Sequence, residues 1–212
     1  MSNFIDEGLN QYTEQHTTKE PEVLAELSRE TQAKFSKPQM LSGHLQGQFL
    51  KNLVAMKAPK KALEVGTYTG YSAIAMGYGL PEQGHLETID VNDELKSTVH
   101  HYIQKAGLEN KITTYFQNAV ELIPQLDGPY ELVFIDADKE NYSRYFDLVI
   151  DKMAQGGIIL ADNVLWKGKV IQDDDDAATT ALRQFNKKVH EDPRVENVML
   201  PVRDGVMLCR KL

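Results

Sequence analysis

The chain has 212 residues, 42% hydrophobic and 25% charged, the balance of a single globular domain rather than a disordered segment. Its formal net charge of −8 argues against a nucleic-acid partner, because phosphate backbones are bound by clustered Lys and Arg. No apolar run approaches the ~18 residues needed to cross a bilayer, and the single cysteine, Cys209, excludes an intramolecular disulfide and a cysteine zinc site.

Met1 to Asn10 has neither the basic leader nor the apolar stretch of a secretory signal, so the cytoplasm is the expected compartment. The first sixty residues read as helical. Pro21 stands where a helix would start, and Val23, Leu24, Leu27 and Phe35 supply one apolar side. A further helix is expected over Leu41 to Met56, with Leu45, Phe49, Leu50, Leu53 and Val54 at helical spacing. From Ala62 the rhythm changes to short apolar runs, Ala62–Val65, Leu86–Ile89, Ile112–Phe116, Leu132–Ile135 and Ile158–Leu160. Helical stretches alternate with them over Tyr71–Leu80, Glu94–Ala106, Ala119–Leu126 and Tyr142–Met153. Such alternation predicts a mainly parallel sheet with helices on both faces. After a helix over Ala177–His190, the runs Val195–Val202 and Val206–Arg210 are joined only by Arg203-Asp204-Gly205. A link that short permits an antiparallel pair and forbids a parallel crossover. The expected architecture is one α/β domain over residues 1–212: a helical segment (1–58), then a core (59–212) of seven strands closed by an antiparallel hairpin.

Ligands in such sheets bind beyond the carboxyl ends of the strands, where the strand order switches. The first strand leads into Gly66-Thr67-Tyr68-Thr69-Gly70, two glycines that allow a tight turn and close backbone approach. The spacing is not G-x-G-x-x-G, so the phosphate-cradling fingerprint of dinucleotide enzymes is absent. That suits a nucleoside ligand and disfavours a nicotinamide-dependent oxidoreductase. The second strand ends at Asp90, whose carboxylate can accept from both ribose hydroxyls. The third ends near Asn118-Ala119, where a small residue lets an adenine lie against backbone. Each feature has a plain alternative, a simple turn or a helix-cap neighbour.

The fourth strand runs into Asp136-Ala137-Asp138-Lys139 and the fifth into Asp162-Asn163. Neighbouring strands lie ~4.8 Å apart, so Asp136, Asp162 and Asn163 can converge as three hard oxygen ligands for Mg²⁺, Mn²⁺ or Ca²⁺. The alternative is that these aspartates cap the following helices. A cation close by favours a neutral lysine, which would let Lys139 act as a general base. His100-His101 fall on an exposed helix. The Asp173–Asp176 run reads as a solvated loop, without the Gly and distal Glu of an EF-hand.

With these residues the sequence resembles the cation-dependent O-methyltransferases, the family of catechol and caffeoyl-coenzyme A O-methyltransferases and their bacterial relatives. The resemblance spans Met40 to the C-terminus. It rests on Gly47-Gln48-Phe49-Leu50, on Leu63 to Ser72, on Phe134-Ile135-Asp136-Ala137-Asp138-Lys139-Glu140-Asn141-Tyr142 and on Asp162-Asn163-Val164-Leu165-Trp166; Asp192-Pro193-Arg194-Val195 and Asp204-Gly205 also match. It implies a Rossmann-like class I methyltransferase fold and S-adenosylmethionine as cofactor, held by Ser42, Glu64, Gly66, Thr67, Ser72, Asp90, Ala119 and Asp138. It implies a divalent cation, Mg²⁺ first, on Asp136, Asp162 and Asn163, and Lys139 as base, with Asp136 also in the catalytic group. The implied acceptor is a catechol or hydroxycinnamate-type small molecule whose vicinal oxygens chelate the metal, methylated by a single displacement. Phe35, Met40, Tyr68 and Trp166 are candidate walls for its ring, or ordinary packing. At Lys167 the sequence departs from the plant coenzyme A-thioester enzymes, which carry a substrate-contacting Asn there. The resemblance also suggests a homodimer through the N-terminal helices. Two other readings stay open: methylation of hydroxylated uridine in tRNA, and a non-catalytic nucleoside-binding module on the same fold.

Overall fold

The computed structural model describes residues 6–173 and 176–212; Asp174 and Asp175 of the acidic run, and Met1 to Ile5, lie outside the described residues. Two helices lead in. The first, α1 (Glu7–Gln15), is capped by the Asp6 carboxylate, and Pro21 starts α2 (Glu22–Lys34), where its missing amide costs no helical hydrogen bond. Helix α3 spans Gly43–Lys57. Its buried face is Gln46, Gly47, Leu50 and Val54, one step round from the expected stripe, because Leu45, Phe49 and Leu53 are only half-buried.

Seven strands follow: β1 (Lys61–Val65), β2 (His85–Asp90), β3 (Ile112–Phe116), β4 (Tyr130–Ile135), β5 (Met153–Asp162), β6 (Val195–Leu200) and β7 (Val206–Lys211). They form one sheet in the order β3-β2-β1-β4-β5-β7-β6. The first five are parallel, and β7 runs antiparallel to both β5 and β6. The switch in strand order therefore falls between β1 and β4. Helices α4 (Tyr71–Gly79), α5 (Lys96–Lys105), α6 (Ala119–Leu122), α7 (Tyr142–Ile150) and α8 (Ala177–Glu191) connect the strands. One face of the sheet packs a core including Val133, Ile135, Phe146 and Phe185; the other packs Leu27, Leu50, Ile74 and Tyr102. No helix of the described residues is long and apolar enough to cross a membrane.

Three elements differ from the sequence expectation. Strand β5 begins at Met153, five residues before Ile158, and α7 correspondingly ends at Ile150. The polar Gln155 and the Gly156-Gly157 pair conceal this start, and the β4–β5 register is irregular there, Tyr130 facing Met153 and Leu132 facing Ile158. The Ala119–Leu126 helix is one α-turn followed by a 3₁₀ turn (Ile123–Gln125), since Pro124 cannot donate to a continuing helix. The helix expected from Glu94 opens as a 3₁₀ turn over Asp93–Leu95. Cys209 is buried in β7 as a free thiol.

Candidate active site

All the strand ends discussed above open into one cavity of about 1150 Å³. A site for one drug-sized ligand spans ~300–1,000 Å³, and this cavity exceeds that range. Of the expected site residues, Met40, Ser42, Gly66, Thr67, Ser72, Asp90, Ala119, Asp136, Asp138, Lys139, Asp162, Asn163, Trp166 and Lys167 all line it. Glu64 is the exception: it is fully buried beneath that lining.

The half of the cavity above β1–β3 is built from backbone. Gly66 has φ +106, and a Cβ there would collide with the Asp136 carbonyl, so the switch point closes only because this residue has no side chain. The Gly66 and Thr67 amides both donate to the Ile89 carbonyl at 2.9 and 3.3 Å, pinning the β1 turn onto β2. Asp90 is held from two sides, Oδ2 accepting from the Tyr68 amide at 2.7 Å and Oδ1 from the Asn92 amide at 2.9 Å. Each oxygen keeps a further lone pair for a ligand. Beneath this layer Thr67 and Thr88 share a hydroxyl hydrogen bond, and Thr88 donates to Glu64 Oε2. Glu64 Oε1 has no partner. Burial pushes the Glu64 carboxyl up to about 8, against the opposing hydrogen bond from Thr88. A buried acceptor without a donor is costly. At the far edge Asn118 Oδ1 caps the Val120 amide, leaving the small Ala119 on the wall.

The other half is built from charges. Ile135 and Ala161 are register partners, so Asp136 and Asp162, one residue further on, emerge side by side. Asp162 is only 2% exposed. Its Oδ2 accepts from Gln46 Nε2 at 2.7 Å and its Oδ1 has no partner. Burial, then the neighbouring Asp136 charge, push its carboxyl up to about 6. Lys139 Nζ donates to Asp136 Oδ1 at 3.0 Å and to the Tyr142 hydroxyl, and lies 5.9 Å from the centre of the Trp166 ring. Tyr142 is itself buried and donates to the Asp162 carbonyl at 3.0 Å, so it ties the lysine to both strand ends. Asp138 faces the same space, its oxygens held by Tyr145 and Asn141.

A divalent cation fits this half on chemical grounds. Two adjacent carboxylates, one with a buried unpartnered oxygen, together with the Asn163 amide make an all-oxygen donor set suited to hard cations. Among the described residues no group of three or more His, Cys, Asp or Glu is arranged to hold a metal, so the set depends on the amide as its third member. Backbone strain also gathers here. Six non-glycine residues of the described chain have positive φ. Five of them, Tyr68, Asn163, Trp166, Lys167 and Arg203, line the cavity, and such conformations persist only where the surroundings enforce them.

Three contributors escaped sequence reasoning: Gln46, Tyr142 as a tether, and Arg203. Gln46 carries a legible signal, since it shares the buried face of α3 with Leu50 and Val54, spaced by four. Arg203 could be found from topology. A β7 strand antiparallel to β5 must start at the carboxyl end of the parallel strands, which carries the β6–β7 turn to the cavity mouth.

The comparisons with known proteins agree with this geometry. A family model described as O-methyltransferase matches residues 14–212. The chain is 39% identical over 207 residues to caffeoyl-CoA O-methyltransferase 2 of Eucalyptus globulus, covering 92% of this chain and 83% of the relative. Among solved structures, the O-methyltransferase from Bacillus cereus in complex with SAH aligns with a TM-score of 0.90 at 26% identity over 97% of each chain. TomG from Streptomyces achromogenes, an O-methyltransferase of tomaymycin synthesis in complex with SAM, aligns at 0.88 and 25% identity over 96% of each. Sheet, switch point and cavity are thus those of a Rossmann-like, S-adenosylmethionine-dependent methyltransferase. Within that class the chain belongs to the O-methyltransferase family and is of the caffeoyl-CoA O-methyltransferase type.

Proposed function

We propose that the protein methylates one hydroxyl of a catechol-like small molecule with the aid of a divalent cation, most simply Mg²⁺, held by Asp136, Asp162 and Asn163. The observation that carries this reading is the buried Asp162 carboxylate, with an unpartnered oxygen, beside Asp136 in the same cavity as Asp90 and Gly66. The caffeoyl group in the name of the Eucalyptus relative supports a phenolic acceptor. When bound, the cation supplies a Lewis acid that two vicinal oxygens can chelate, lowering the cost of the phenolate.

The protein's own residues do the rest. Asp90 accepts from the ribose of the methyl donor, Gly66 and Thr67 lie against its chain, and Ala119 leaves room for its base. Ser42, Ser72 and Asp138 complete the donor's surroundings, and Glu64, from beneath, meets its ammonium. A cation on Asp136 would favour the neutral form of Lys139, whose Nζ, kept in place by Tyr142, would then take the phenolic proton. Met40, Trp166 and Lys167 border the acceptor ring. Alignment of acceptor oxygen and methyl carbon is then a matter of positioning, with no covalent enzyme intermediate.

The test is methylation of caffeate and a simple catechol against a phenol with one hydroxyl, at saturating donor and Mg²⁺, followed by mass spectrometry. The two-oxygen acceptors should react at least ~100-fold faster, since one oxygen forgoes chelation and positioning together, and EDTA should abolish the difference. Equal rates on one and two hydroxyls would overturn the reading.

A further inference from the structure

The turn between β6 and β7 is a rigid piece of the cavity mouth. Val206 lies opposite Asp162 in the sheet. The turn is tied down by the Leu165 amide on the Asp204 carbonyl (3.0 Å), the Val164 amide on the Gly205 carbonyl (3.1 Å) and the Lys167 amide on the Asp204 carboxylate. A Cβ at Gly205 would collide with the Leu165 side chain, so the two loops interlock. Arg203 sits on this frame at φ +52 and lines the cavity.

Its guanidinium is poorly accounted for by the protein. Nη1 is buried without a hydrogen-bond partner, and Arg203 makes no ion pair with any described residue. A guanidinium N–H group drawn out of water and left without an acceptor is costly unless a ligand completes it. The planar fork of guanidinium donors matches a carboxylate in a two-bond arrangement. Of the other cations lining this half, Lys139 is already engaged by Asp136 and Tyr142 and Lys167 is exposed to water, so Arg203 Nη1 is the buried cationic donor left without an acceptor.

We propose that Arg203 is a specificity-determining residue of the acceptor site, selecting aromatic acceptors that carry a carboxylate over uncharged catechols of the same size. This rests on the catechol reading above and narrows it. A ligand carboxylate could also belong to the methyl donor, so the experiment separates the two sources.

The test compares kcat/KM for caffeate with that for its uncharged alcohol analogue, at saturating donor and Mg²⁺, in wild type, Arg203→Met and Arg203→Lys, with donor affinity measured by calorimetry. The ratio of the two kcat/KM values on one preparation is independent of how much of it is correctly folded. Wild type should favour the acid at least ~10-fold, Arg203→Met should bring that preference close to one, and Arg203→Lys should fall between, since a lysine keeps the charge without the fork. Should the Met variant fail to fold, the Lys variant carries the comparison. Calorimetry with the product form of the donor bound should show caffeate binding weakened by the same factor. An unchanged acid-to-alcohol ratio overturns the proposal, and if donor affinity falls at the same time, the guanidinium serves the donor's carboxylate. A wild type that methylates neither compound overturns the catechol reading and this inference with it, whereas methylation of both without an acid preference overturns this inference alone.

Discussion

The half of the cavity above β1–β3 and the half above β4, β5 and the β6–β7 turn handle polar groups in opposite ways. On the first side, each oxygen of the Asp90 carboxylate is held by one amide with a lone pair to spare, and Gly66 and Thr67 are tied to β2. On the second, a buried carboxylate oxygen, a buried guanidinium nitrogen and four left-handed non-glycine residues stand together without full partners. A surface whose polar groups are already satisfied can offer shape and a few directed hydrogen bonds. A surface with unpaired buried charges gains most when an ion of the missing sign arrives. The contrast suits a reaction in which one reactant is only bound while the other must be ionised and aimed.

The sharpest way to break the comparison is Asp162→Ala. If the second half supplies the chemistry, this variant should lose turnover by at least ~10³, because stabilisation of the phenolate and positioning of the acceptor vanish together, several kcal/mol by either route. Donor affinity should stay within a few-fold, since the donor residues hang on other strands. Steady-state kinetics on a catechol and calorimetry with the donor read the two effects separately. Normal turnover in Asp162→Ala would leave the two carboxylates with structural roles alone, Asp162 anchoring Gln46 and Asp136 anchoring Lys139.

The complementary change is Asp90→Ala. It removes the acceptor for the ribose hydroxyls and also frees the Tyr68 and Asn92 amides that the carboxylate now holds. The expected cost is about 1.5–3 kcal/mol in donor binding, roughly 10- to 150-fold in Kd. At saturating donor, turnover should recover most of its value, the reverse of the Asp162 pattern. A variant that binds the donor normally yet turns over slowly would contradict the division of labour.

Much of this site was legible before the fold was known, and the reason is topological. In a parallel sheet every carboxyl end faces the same side, so residues at the ends of successive apolar runs must meet; Gly66, Asp90, Asp136 and Asp162 could be placed together from the sequence. What stayed hidden comes from elements whose burial does not follow the apolar pattern. Gln46 is polar on the buried face of α3, so a hydrophobic stripe passes it over. The start of β5 lies behind Gln155-Gly156-Gly157, which reads as a turn. Glu64 is the subtlest case. The resemblance implies that it touches the donor, yet it is fully buried, and its burial can be read only once β1 is known to be covered on both faces.

Glu64 is also the one place where the first half resembles the second, which makes it the finest test of the contrast. Its carboxyl is fully buried, its Oε1 lacks a partner, and burial lifts its ionisation from the ordinary 4.5 to about 8. Below pH 4.5 the folded and unfolded chains both carry this proton, and the site makes no pH-dependent difference. As the pH rises toward 8, the unfolded chain ionises while the folded chain keeps its proton, so stability is lost across that window; above about 8 the folded form ionises too and the loss levels off. Glu64→Gln removes this titration. Relative to wild type, the variant should gain about 1–2 kcal/mol between pH 5 and pH 8, a few degrees in Tm for a chain of this size, read from denaturation at both pH values without donor. Donor binding should report the same proton from the other side. An ammonium arriving beside Glu64 favours the carboxylate, so wild type should bind the donor more tightly as pH rises from 6 to 8 and release a proton on binding. Calorimetry in two buffers of different ionisation enthalpy measures that release directly, and Glu64→Gln should show neither the release nor the pH dependence. If wild type binds the donor without releasing a proton near pH 7, the unpartnered oxygen of Glu64 serves the stability of the sheet rather than the donor, and the first half of the cavity is uniformly preorganised.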